Sequence, residues 1–199
     1  MELLPFVLAC IIIELTPGPN MAYLVILTMT AGKRAGFATV AGIAAGLACV
    51  AVAAAVGMAE MVRLYPALYE VIRWAGVLYL LWLALDCWRN GAQSDTQADG
   101  AKLTYFRHGF WVNVLNPKAA VFYLTVLPAY LPHSPVLWQP FLLITISVSI
   151  ATVVHLLLVI FAASIRPWFD SPEQQTNVRK VFALLLAMVA LWFAASSRA

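Results

Sequence analysis

Six stretches of this chain are each long and apolar enough to cross a lipid bilayer. A hydrocarbon core of about 30 Å takes about 20 helical residues. The runs fall at roughly 3–30, 37–60, 67–88, 110–131, 138–163 and 178–196. Inside lipid every backbone N–H and C=O must be satisfied within the protein, which leaves helices or closed barrels. No strand-like alternation runs long enough for a barrel. Of the 199 residues, 63% are hydrophobic and 11% charged. A soluble domain is roughly half apolar and about a quarter charged, so this chain lacks the polar residues to coat a water-facing bundle. The expectation is an all-α integral membrane protein, a single transmembrane domain over 1–199.

Short polar segments punctuate the runs, and one is long: "RNGAQSDTQADGAKLTYFRHG". It reads as a flexible tether over 89–108, between a first half at 1–88 and a second at 109–199. Basic residues set orientation, because cytoplasmic loops are enriched in Lys and Arg. Lys33, Arg34, Arg89, Lys102, Arg107, Arg166, Arg179 and Lys180 fall on one side, and Arg63, Arg73 and Arg198 on the other. Eight against three puts both termini outside. No Lys or Arg precedes Lys33 and no small-residue cleavage site follows, so the first run reads as an uncleaved span. Tyr65, Trp74, Trp88, Tyr105, Trp138 and Trp168 lie near span edges, as interfacial anchors do. Cys10, Cys49 and Cys87 are isolated in apolar runs and read as small hydrophobes, neither disulfides nor metal ligands.

The second run is rich in small residues, with Gly42 and Gly46 forming a GxxxG pair. Such a face admits close helix approach, either within the chain or across a homodimer seam. In the fifth run Thr145, Ser149 and Thr152 share a face, with His155 at its edge. They line a polar pathway, with His155 a proton carrier, or they hydrogen-bond to their own and neighbouring helices.

Two interruptions carry the most chemistry. The first run contains Glu14-Leu15-Thr16-Pro17-Gly18-Pro19-Asn20. Pro17 and Pro19 have no N–H, so the carbonyls of Ile13 and Leu15 lose their helical partners. Thr16 and Gly18 precede prolines and are pushed out of helical geometry. Such a stretch belongs against an interior cavity. The fourth run holds the counterpart, where Pro117 frees the carbonyl of Asn113 and Asn116 and Lys118 flank it. Lys118 lies about nine residues inward from Gly109, roughly 14 Å at 1.5 Å per residue. Glu14 and Thr16 reach a similar depth. The breaks fall in the first span of each three-span half, and an odd number of spans inverts the second half. Paired, interrupted spans in matching halves point to a transporter's binding site. Glu14 and Lys118, opposite in sign, form either a structural ion pair or a site for substrate and protons.

"LTPGPN", "GKRAGFATVAGIAAG" and "FRHGFWVNVLNPKAAVFYLTVLP" together resemble the LysE/RhtB family of bacterial amino-acid exporters. The resemblance covers nearly the whole chain and rests on Pro17, Gly18, Pro19, Gly32, Gly36, Gly42, Gly46, Asn116, Pro117 and Lys118. It implies a secondary exporter of amino acids or related small metabolites in the bacterial inner membrane. Beside it, the residues give six transmembrane helices as two inverted three-helix repeats, the first and fourth broken at proline. The site is expected among Glu14, Thr16, Pro17, Gly18, Pro19, Asn20, Asn113, Asn116, Pro117 and Lys118. Thr16 and Asn116 read as N-caps, with Pro17 and Pro117 at the first helical position. Lys118 and the half-helix N-termini would take a carboxylate, and Glu14 an amine or a proton. No nucleotide-binding loop is present, so energy is expected from an ion gradient, with a proton as the coupling ion, or from the substrate's own gradient. Neither a cofactor, a metal nor a nucleic-acid partner is implied. A passive channel or scaffold, and an intramembrane enzyme using Ser147, Ser149 and His155, are the competing classes.

Overall fold

The computed structural model describes residues 2–16, 18–58, 66–89, 98–132, 135–136 and 138–169, with 174, 176–177, 180–181, 183–185, 187–188 and 190–191. Every regular element among these residues is helical. We label them α1 (Leu3–Leu15), α2 (Pro19–Ala31), α3 (Lys33–Ala53), α4 (Pro66–Arg89), α5 (Ala98–Val114), α6 (Pro117–Val121) and α7 (Trp138–Ile165). α3 runs into a π-helical turn at Ala54–Met58, and α6 into another at Phe122–Val126.

Two helical stretches are long and apolar enough to cross a membrane alone, Lys33–Val56 and Trp138–Trp168. Two bent pairs raise the number to four if each counts as one span. Leu3–Leu15 meets Pro19–Ala31 at 55°, and Lys102–Val114 meets Lys118–Ala129 at 53°. α4, within the third apolar run, is helical over 24 residues. The sixth run is helical at each residue described within it. Large apolar side chains such as Leu4, Ile12, Leu157, Ile160 and Phe161 face outward. A lipid-facing surface needs such side chains and a water-facing one does not.

α3 forms the centre and packs most extensively against α5. Its glycines make this contact. A Cβ on Gly42 would collide with the carbonyl oxygen of Phe106, and one on Gly46 would lie 2.7 Å from that of Phe110. The contact is reciprocal, since a Cβ on Gly109 would collide with the carbonyl of Thr39. Between helices in lipid, close van der Waals fit replaces the hydrophobic drive available in water. Gly36 brings α3 equally close to Val159 of α7. The tight turn from α2 into α3 is made by Gly32 at φ +86°, the left-handed region where only glycine is unstrained.

α5 starts earlier than composition suggests. Residues 98–108, read as part of a tether, form its first turns, while 90–97 lie outside the described residues. The reason is tertiary: Thr39 Oγ1 donates to the Tyr105 carbonyl at 3.4 Å, and the Phe106 backbone lies on Gly42. A helix seated on a neighbour does not need the apolar periodicity of its own sequence.

Candidate functional site

At both interruptions the backbone solves the same problem in the same way. A proline at position 17 cannot donate to the Ile13 carbonyl, so the Thr16 N–H takes it in a tighter turn at 3.1 Å. A proline at 117 cannot donate to Asn113, and the Asn116 N–H takes that carbonyl at 3.0 Å. Each new helix then begins at a proline. Gly18 is the N-cap of α2 with Pro19 first in the helix, and Asn116 is the N-cap of α6 with Pro117 first. The Asn116 side chain accepts from the Lys118 N–H at 3.0 Å, an N-cap bond.

Thr16 does not cap α2. It closes α1, its hydroxyl donating to the Ile12 carbonyl at 2.9 Å. The second proline is the cause. Gly18 precedes Pro19 and is held extended, so no helix can pass through it and α2 starts two residues later. Pro17 itself lies outside the described residues.

The two interruptions face each other across one side chain. Lys118 Nζ donates to the Thr16 carbonyl at 2.8 Å, and the lysine stem passes Gly18, where a Cβ would lie 3.4 Å from Lys118 Cδ. Asn20 of α2 donates its amide to Asn113 Oδ1 of α5. That leaves Asn20 Oδ1 and Asn113 Nδ2 buried without partners among the described residues. Flipping both amides would still leave one donor and one acceptor over. From α7, His155 Nε2 stands 3.9 Å from Glu14 Oε2. The Tyr123 and Ser147 hydroxyls are 2.9 Å apart, and Ser147 donates to the Ile144 carbonyl.

These groups surround a cavity of about 20 Å³, room for about one water molecule and not for an amino acid. Glu14, Gly18, Asn20, Asn113, Asn116 and Lys118 line it. Thr16 contributes its carbonyl through Lys118, while Pro19 and Pro117 open the helices on either side. Cys10, Ile13, Leu47 and Phe122 supply an apolar wall.

α7 turns a different face inward from the one its hydroxyls suggest. Thr145 and Thr152 bond to carbonyls of their own helix, at 2.8 and 2.7 Å, and Ser149 is exposed. The inward stripe is Ser147, Ala151 and His155, spaced i, i+4, i+8. That spacing was available in the sequence, with the small Ala151 between two polar residues. Tyr123 and Cys10 were not distinguished from core by any local signal.

Apolar helices enclosing polar, charged side chains at two interrupted helices define a membrane protein of the translocating kind. The chain belongs to the LysE-type translocator family, whose sequence pattern matches residues 11–197. It is 27% identical to the homoserine/homoserine lactone efflux protein of Salmonella typhimurium over 98% of this chain and 96% of that protein. A Vibrio cholerae protein described as an uncharacterized membrane protein is 26% identical over 90% of this chain and 89% of its own length. The leucine efflux protein of Klebsiella pneumoniae is 31% identical over 61% of this chain and 59% of its own. No solved structure matches the chain.

Proposed function

We propose that the protein exports a small zwitterionic amino acid across the bacterial inner membrane, driven by proton entry, through alternating access to the cavity between the two helix interruptions. Six spans in two inverted repeats and two periplasmic termini complete this reading. The observation that carries it is the meeting of Glu14, Asn20, Asn113 and Lys118, from both halves of the chain, around one cavity. An amino acid presents a carboxylate and an ammonium a few ångströms apart. Lys118 and the spare Asn113 amide suit the carboxylate, with the N-terminal end of the 13-residue α2 beside them. Glu14 and the spare Asn20 carbonyl suit the ammonium. The efflux relatives of Salmonella and Klebsiella, named for homoserine and leucine, support a neutral amino acid. One proton entering down 100 mV supplies about 2.3 kcal/mol, enough for roughly a fifty-fold substrate gradient at full coupling.

The test is counterflow of labelled L-homoserine and L-leucine in vesicles holding the purified protein. The wild type accumulates label against unlabelled substrate inside. Lys118→Met lowers the rate at least a hundredfold while remaining monodisperse in detergent. Absence of wild-type counterflow across a panel of neutral amino acids refutes the reading.

A further inference from the structure

We infer that His155 binds the coupling proton, and that its protonated ring and the substrate's ammonium compete for one acceptor, the Glu14 carboxylate. This rests on the export reading above and assigns its proton pathway.

His155 is 2% exposed, and neither ring nitrogen has a hydrogen-bond partner among the described residues. Imidazole carries one donor and one acceptor even when neutral. A histidine that merely filled core would have found partners for them, because buried polar groups in folded proteins are paired. Here the ring lines the cavity, with Nε2 3.9 Å from Glu14 Oε2, about 1 Å beyond a hydrogen bond. The ring is poised beside an acceptor and not engaged with it.

The other titratable groups lining the cavity offer the ring no acceptor of equal strength. From α1 come Glu14 and Cys10, from α6 Lys118, and from the π-turn after it Tyr123. Lys118 is a cation and donates to the Thr16 carbonyl. Ser147 uses its proton on Ile144, so the Tyr123 proton goes to Ser147. Cys10 is a thiol in an apolar wall. Glu14 remains as the anion that can stabilise an imidazolium, beside the neutral Ala151 carbonyl of the ring's own helix and the Asn20 carbonyl across the cavity.

Competition for Glu14 then couples proton to substrate. Glu14 and Lys118 neutralise each other in the empty site. A bound zwitterion keeps the total at zero, its carboxylate on Lys118 and its ammonium on Glu14. A proton on His155 adds one positive charge and claims the same Glu14 oxygens. The net charge of the protonated site is +1 with or without the amino acid, so the exclusion comes from the shared acceptor: Glu14 can meet the imidazolium or the ammonium at close range and not both. Proton and amino acid therefore exclude one another, and by linkage each weakens the other by the same factor. With the cavity open to the outside, an entering proton binds the imidazole and displaces the amino acid. With the cavity open to the cytoplasm, an amino acid displaces the proton. One proton moves in for each amino acid out, and only the N–H bond of the ring is made and broken.

The experiment has two arms. Purified wild-type protein in weakly buffered detergent, brought to a pH low enough that the empty site holds its proton, releases protons approaching one per site when titrated with L-homoserine, read by a pH indicator. His155→Gln releases less than a tenth as many. In vesicles, His155→Gln slows both counterflow and accumulation driven by a pH gradient. The ratio of accumulation to counterflow falls at least tenfold against wild type. The pH dependence of apparent affinity, up to about tenfold per unit in wild type, flattens in the variant. No proton release by a wild type that shows counterflow overturns this inference and leaves the export reading standing. An unchanged ratio in His155→Gln does the same. Absent counterflow in the wild type defeats both. Should His155→Gln aggregate, His155→Asn is read in its place, and undiminished proton release by it overturns the inference.

Discussion

Gly46→Ala tests the helix contact on which the cavity is built, because two effects of opposite sign compete at one methyl group. On an uncrowded helix face, replacing glycine by alanine stabilises by about 1 kcal/mol, through lower backbone entropy in the unfolded chain. At Gly46 the new Cβ would stand 2.7 Å from the Phe110 carbonyl oxygen and 3.2 Å from Asn113 Cβ. Ordinary contact starts near 3.4 Å, so α3 and α5 must part by about 0.7 Å at this level. Overpacking of this kind costs about 1–3 kcal/mol, and the net is a destabilisation of about 0–2 kcal/mol. For a chain of this size that lowers the melting temperature by up to about 8 °C. Gly42→Ala is worse, since its Cβ would overlap the Phe106 carbonyl itself. The assay is thermal unfolding of both variants in detergent at two protein concentrations. Stabilisation by Gly46→Ala would refute the reasoning, for it would mean that the α3 face is open. A loss that appears only on dilution would place the glycines in a seam between two copies.

Three further outcomes are expected. Asn116→Ala, which removes the acceptor of the 3.0 Å bond from the Lys118 N–H, destabilises by about 0.5–2 kcal/mol and Asn116→Asp by less, read by the same melts. A reporter active only in the periplasm works when fused after Ala199, and a cytoplasmic one does not; the reverse result overturns the inverted-repeat reading. Deleting two or three residues within 92–97 leaves counterflow within about threefold of wild type, whereas a deletion within 103–106 abolishes it, because Tyr105 and Phe106 seat α5 on α3.

What the sequence made legible was chemistry confined to a few neighbouring residues. A proline deletes one donor, so the orphaned carbonyls of Ile13 and Asn113 could be named before any coordinates, as could Asn116 as a cap. The way each carbonyl is rescued, by the N–H one residue earlier, follows from the same local geometry. Thr16 was misread because two prolines compete to start one helix, and only the second leaves a continuous helical path. The inward face of α7 carried only the faint mark of Ser147, Ala151 and His155 at one helical spacing, for a different reason. Lipid and protein interior are similarly apolar, so nothing in a run such as Leu156-Leu157-Leu158 says which side is buried. Threonine hydroxyls satisfied by their own carbonyls do not reveal it either. The early start of α5 was hidden because its stability comes from the α3 glycines, more than fifty residues away in sequence.

The bond from Lys118 to the Thr16 carbonyl gives the unloaded protein an internal ligand. On the proposed export reading, the backbone oxygen stands where a substrate carboxylate would, and any incoming molecule must trade for it. A ligand lacking a carboxylate has nothing to give the ammonium in return, and so bears the whole loss of that contact. Discrimination of this sort is subtractive. It is set by what the guest must displace, before the shape of the apolar wall has any say. On that reading, the same residue that admits an amino acid also turns away amines and alcohols.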